Sequence, residues 1–280
     1  KSFVEAGKLR YALDIDDDLL SAPADKDPDG SYALYAPVLT DILAHATLVI
    51  ASTEVLARRL KDKSKQIKVL PNLLSGAIWR GRLPRRRNEN IVRGLYMGNR
   101  SHDADFAMVK SSFDAMARST PNLRLRLVGA LQEPLSHVPD WLEVVDIPLA
   151  ARGYPAFVSW LRDQCDELDF GIAPLVKGQF NECKSYLKML DYAGLGLPVL
   201  ASNHPVYTPL IGNDHLPRWT IPPRRGIRPG KECCERENQV RQGVPQFGTG
   251  FLPIISWKAR LSSMMTCCSS PWEVPADEAA

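Results

Sequence analysis

Between Ile91 and Ser202, short apolar runs alternate with helical patterns so regularly that few architectures can hold the chain. Ile91 to Met97 reads as a strand ending in Gly98-Asn99, and Asp103 to Arg118 as a helix. Leu123 to Val128 alternates apolar residues with arginines and stops at Gly129, while Leu142 to Val145 is a further strand. Pro155 to Arg162 is helical in pattern, Phe170 to Pro174 is a buried strand, and another apolar run begins at Val199. Strands separated by helices at this spacing predict a parallel sheet covered on both faces. Such sheets bind ligands outside the carboxyl ends of their strands. Gly98, Pro174 and Ser202 lie at those ends.

A smaller stretch of the same grammar precedes it. Tyr11 to Asp16 reads as a strand running into an acidic loop, Asp14 to Asp18. Tyr35 to His45 is helical and Leu48 to Ile50 is a strand. Ser52-Thr53 can cap a helix over Glu54 to Lys61, and Ile67 to Leu70 is a third strand. The expected division is a first α/β unit over 1–79, a basic linker over 80–90 and a second unit over 91–211. Beyond 211 the period fails, and 212–280 reads as an irregular tail of the kind a reading-frame error or truncated gene model produces. Lys1 in place of Met points to a chain that begins inside a longer protein.

Composition narrows the function. The 280 residues are 45% hydrophobic and 24% charged, enough for a real core. No apolar run approaches the roughly 20 residues of a membrane span. A net charge of +3 is too mild to argue for nucleic acid. The doublets Cys233-Cys234 and Cys267-Cys268 lack zinc-site spacing, and adjacent cysteines rarely bridge each other, so a reducing compartment without structural metal is expected.

The stretch Phe180 to Ser202, FNECKSYLKMLDYAGLGLPVLAS, carries the chemistry. It reads as loop, helix and buried strand, with Lys184 and Ser185 in the first helical turn and Asp191 two turns further on the same face. A lysine in that turn opposes the helix dipole, a conflict that a bound anion would resolve. Lys184, Ser185 and Lys188 read either as phosphate contacts or as an exposed helical face. Asp191 reads as a carboxylate for sugar hydroxyls or as ordinary surface. His102 either stabilises a charged ligand or caps its helix with Ser101. The aspartates 14, 16, 17 and 18 are hard ligands that suit Mg²⁺ or Mn²⁺, but they lie far in sequence from the lysines.

The segments YMGNRSHDADF, LRLVGA, DFGIAPL and FNECKSYLKMLDYAGLGLPVLAS, preceded in order by YALDIDDDLL, LVIASTEVLARRLK and IKVLPNLL, resemble family-4-type glycosyltransferases. Within that family they are similar to bacterial enzymes of O-antigen and cell-surface polysaccharide synthesis. The resemblance spans about Leu9 to Ile211. It implies the GT-B architecture, two Rossmann-like domains facing across a cleft, with the N-terminal one incomplete here. It also implies a cytoplasmic enzyme that moves a sugar, with retention, from a nucleotide diphosphate donor to a glycan or lipid-linked acceptor. Such an acceptor would bring it to the inner face of a membrane. No cofactor or metal is implied. By position, Gly98, Asn99 and His102 would approach the donor, Lys184, Ser185 and Lys188 would contact its diphosphate, and Asp191 would hold the ribose. Asp191 stands where the family's second motif carboxylate is Glu, and Cys183, not Glu182, falls at the first acidic position. The resemblance identifies no catalytic residue. The alternative from another class is a non-catalytic remnant or nucleotide-binding module of a truncated glycosyltransferase.

Overall fold

The computed structural model describes residues 10–81, 83, 90–98, 102–131, 135–211 and 251–255, with side chains described through 210. Asn99, Ser101, most of the 80–90 segment and both cysteine doublets lie outside the described residues. Among the described residues, no helix is long and apolar enough to cross a membrane.

The chain is an α/β protein with two parallel sheets. The first contains β1 (Ala12–Ile15), β2 (Leu48–Ala51) and β3 (Ile67–Val69), paired in that order. α1 (Ser31–His45) and α2 (Glu54–Leu60) connect them. α1 begins four residues before the expected Tyr35, because Asp27 supplies the start signal from outside the helix. Its carboxylate accepts the backbone N–H groups of Tyr32 and Ala33 at 2.9 and 3.0 Å. Thr53 caps α2 as expected, accepting the Leu56 N–H at 3.1 Å. Ile15, Leu43, Val49, Leu56 and Leu60 form the core of this unit.

The second sheet contains β4 (Val92–Met97), β5 (Leu123–Val128), β6 (Leu142–Val145), β7 (Phe170–Ala173), β8 (Val199–Ser202) and β9 (Phe251–Ile255). Its order is β6-β5-β4-β7-β8-β9, and every pair is parallel except β8 with β9. The first five strands thus follow the doubly wound order, and the winding reverses between β4 and β7, where open α/β sheets bind ligands. α4 (Asp103–Ser119) covers one face through Phe106, Val109 and Phe113. α5 (Tyr154–Asp163) and α7 (Leu187–Gly194) cover the other through Val158, Leu161, Met189 and Tyr192. A short α3 (Gly76–Trp79) joins the second core, with Leu74 and Trp79 packed there. Arg162 fixes it by donating to the carbonyls of Trp79 and Gly81 at 2.7 and 3.0 Å.

One buried ion network spans this sheet. Arg93 and Arg126 both donate to Glu143, at 2.9 and 3.1 Å, and Arg126 reaches Glu167 at 2.6 Å. It accounts for Arg93 of β4 and Arg126 of β5, whereas Arg124 donates to the carbonyls of Pro121 and Leu123 at 2.8 and 2.7 Å.

The tail expectation needs correction at one place. Phe251–Ile255 is not irregular but an antiparallel edge strand beside β8. The register slips by one residue between Val199↔Ile255 and Ala201↔Leu252. The slip falls at Pro253, whose lack of an N–H confines it to edges and bulges.

Candidate functional site

The carboxyl ends of the two sheets face each other, and hydrogen bonds and an ion pair join the loops that leave them. Thr53, after β2, donates its hydroxyl to the carbonyl of Cys183 at 2.9 Å. Asn72, after β3, donates to Ser185 Oγ at 2.8 Å and to Asp16 Oδ1 at 2.7 Å. Lys184 Nζ meets the Asp17 carboxylate at 3.1 and 3.3 Å. Cys183 is wholly buried in the core of the first unit.

These contacts overturn the expectation that Lys184 and Ser185 occupy a first helical turn. α6 (Gln179–Glu182) ends before them, and α7 starts after them with Tyr186 at its N-cap position. In an unbroken helix the Cys183 carbonyl would accept the N–H of Leu187. Here Thr53 donates to that carbonyl, and Lys184 and Ser185 lie in a non-helical link between two helices. The conflict of a lysine with the helix dipole disappears, and Asp17 is its partner. Lys184 also lies 4.8 Å from the centre of the Phe180 ring.

Lys188 is in the first turn of α7, with its ammonium 4.7 Å from the centre of the Tyr96 ring. The residue as a whole is half-buried, but its ammonium end is enclosed. That burial pulls its pKa down to about 7, and Lys184 and Lys26 add to the effect, while Asp105 and Asp191 oppose it. Lys26 comes from the first unit, in the loop between β1 and α1, and is buried. Two turn bonds from Lys26 and Asp27 to the Pro23 carbonyl hold that loop. Lys26 pairs with Asp25 at 3.6 Å, and both it and Lys184 disfavour the charged form of Lys188, so the ammonium groups of two units influence one another here.

The Gly98 position is sterically dictated. A Cβ there would stand 2.7 Å from His102 Cδ2. His102 precedes α4 but makes no side-chain cap; its Nδ1 instead meets Asp105 Oδ2 at 2.7 Å. Burial lowers the His102 pKa to about 4 against the pull of Asp105, so the ring is neutral and its Nδ1–H donates. Burial acts to raise Asp105, but bonds from His102 and from the Val176 N–H outweigh it and leave that carboxyl lowered. The Val176 bond, at 2.8 Å, ties α4 to the loop after β7. From α6, Asn181 donates to the Val176 carbonyl at 2.9 Å, and its buried Oδ1 meets no donor among the described residues.

Asp191 lies in α7 and accepts the Tyr154 hydroxyl at 3.1 Å. Tyr154 in turn accepts Trp79 Nε1 at 3.2 Å. Burial lifts Asp191 to about 7, against Tyr154 and Lys188, and lifts the Tyr154 phenol to about 12. Gly98, His102, Lys184, Ser185, Lys188 and Asp191 thus belong to loops and helix ends around one sheet edge. Sequence reasoning missed Lys26, Asp105 and Tyr154. Lys26 lies in a loop without period, and nothing in its neighbours signals burial. Asp105 reads as an ordinary acidic residue in a helix's first turn, although a carboxylate three residues after a histidine can face it.

The acidic loop has other partners than a metal. Asp16 holds Asn72, Asp17 holds Lys184, and Asp18 is buried with the Cys183 thiol 4.0 Å away. Among the described residues, no group of three or more His, Cys, Asp or Glu side chains is arranged around a metal position.

No protein-family model matches the chain, and no curated protein matches it by sequence. Solved structures superpose on it in part. TarM superposes with a TM-score of 0.44 at 8% identity, over 76% of this chain and 40% of that one. A GtfA/B complex gives 0.41 at 13% identity, over 94% and 49%. The pneumococcal O-GlcNAc transferase GtfA, in complex with UDP and GlcNAc, gives 0.41 at 12% identity, over 86% and 46%. The chain thus spans less than half the length of each of these neighbours.

Proposed function

We propose that this chain is part of a GT-B glycosyltransferase, and that its second unit binds a nucleotide diphosphate sugar. The observation that carries the reading is that Lys184 and Lys188 follow β7, with the Lys188 ammonium 4.7 Å from the ring of Tyr96 in β4, beside the winding reversal of the second sheet, while buried Lys26 of the first unit acts on the same ammonium. Gathered and partly desolvated ammonium groups favour a multiply charged anion, and a diphosphate matches that demand. Departure of a nucleotide diphosphate places negative charge on its terminal phosphate as the anomeric carbon becomes cation-like. Preformed positive charge lowers that barrier electrostatically. On this reading the lysines do the neutralising without a divalent cation.

The other parts fit the same ligand. Gly98 leaves its strand end without a side chain, Asn181 Oδ1 offers an acceptor for a hydroxyl, and on this reading Asp191 of α7 takes the nucleoside. The sequence resemblance extends the proposal to a retaining enzyme of cell-surface polysaccharide synthesis with a glycan or lipid-linked acceptor. The second reading, a nucleotide-binding module without turnover, is favoured by the three-stranded first sheet. Calorimetry with UDP and GDP, followed by turnover of the corresponding sugar nucleotides, separates the two. Lys184→Ala should weaken nucleoside diphosphate binding by about tenfold or more, the worth of one charge-assisted contact. Equal affinity in the variant would refute the diphosphate site. Binding without turnover would favour the module.

A further inference from the structure

The side chain proposed to meet the diphosphate already has an anionic partner. Asp17, two residues beyond β1, holds Lys184 Nζ with both carboxylate oxygens, at 3.1 and 3.3 Å. The pair is largely shielded, with side-chain exposures of 13% for Lys184 and 31% for Asp17. Its neighbours brace the same contact. Asp16 and Ser185, which flank the pair in their respective loops, are joined through the single amide of Asn72. A carboxylate and a phosphate oxygen make the same demand on an ammonium group, and their like charges repel when both crowd it.

Resting on the diphosphate reading above, we propose that the Asp16–Asp17 loop is an internal competitor for the anion subsite. It occupies Lys184 in the unliganded chain and is displaced when the ligand's phosphates arrive. The first unit is thereby coupled to donor binding through Lys184: ligand takes over the ammonium, and the acidic loop is freed to move within the cleft. Phe180, whose ring lies 4.8 Å from Nζ, can keep the lysine in place during the exchange.

The test is calorimetric titration of the full chain with UDP and with inorganic pyrophosphate. The variants are Asp17→Asn, Lys184→Ala and their combination, with thermal unfolding to verify that each is folded. Asp17→Asn should tighten binding by about three- to tenfold, the range expected for losing a partly shielded ion-pair competitor. The double variant should bind like Lys184→Ala alone, because the competitor then has nothing to compete for. Asn72→Ala, which removes the brace without touching a charge, should also tighten binding. Unchanged or weaker binding in Asp17→Asn, with Lys184→Ala still impaired, overturns the competition and leaves the diphosphate site standing. If Lys184→Ala binds like wild type, the site reading falls, and the competition with it.

Discussion

Lys188 offers the most quantitative handle on this site, because its charge changes within an accessible pH range. Burial beside the Tyr96 ring brings its pKa from 10.5 to about 7. The free protein therefore holds Lys188 about 90% charged at pH 6 and about 10% charged at pH 8. A bound diphosphate stabilises the charged form, so binding takes up a proton above about pH 7, and affinity must fall as pH rises. The expected loss is about tenfold between pH 6 and pH 8, with a further fall at higher pH. A nucleotide sugar is the right titrant, since its diphosphate diester keeps a constant charge over that range. Asp191, raised to about 7, ionises in the same window and would repel the ligand in the same direction. His102 at about 4 does not titrate there. Asp191→Asn should therefore keep most of the pH dependence, whereas Lys188→Met should bind weakly and keep only the smaller slope that Asp191 contributes. Calorimetry in buffers of different ionisation enthalpy would count the proton directly. A flat wild-type profile, or the same slope in Lys188→Met, would refute the reasoning. The same shift has a stability consequence of fixed sign. Between about pH 7 and 10.5 the unfolded chain holds more protons on Lys188 than the folded one, so this group makes the protein more stable as pH rises through that window.

Two further outcomes test the packing that positions the site. Gly98→Ala should destabilise the fold by about 1–3 kcal/mol, because its Cβ would press on a His102 ring that Asp105 holds in place; a loss below about 0.5 kcal/mol in denaturant titration would show that the ring gives way freely. Glu143→Leu should cost about 1–3 kcal/mol by leaving Arg93 and Arg126 without their shared carboxylate, a value set below that of fully buried pairs because Glu143 is 28% exposed; an unchanged midpoint would reduce the network to surface charge.

Much of the fold is legible in the sequence, because its signals are local. The apolar runs at Val92–Met97, Leu123–Val128 and Val199–Ser202 are strands for the reason their composition gives, and the helix that follows Gly98 begins at Asp103 as expected. The parallel pairing follows from helices between successive strands. The candidate site residues Lys184, Ser185, Lys188 and Asp191 could likewise be picked out by type and spacing. Their conformation could not. The helix breaks at Lys184 and Ser185, where Thr53, 130 residues away, donates to the carbonyl of Cys183. Asp17 and Lys26, in loops whose sequence carries no period, acquire their roles only because the first sheet's loops are brought against the second's. Local pattern determines which segments become strands and helices, since those choices depend on neighbours a few residues away. Which ammonium meets which carboxylate depends on distances between loops far apart in sequence, and only the tertiary structure decides them.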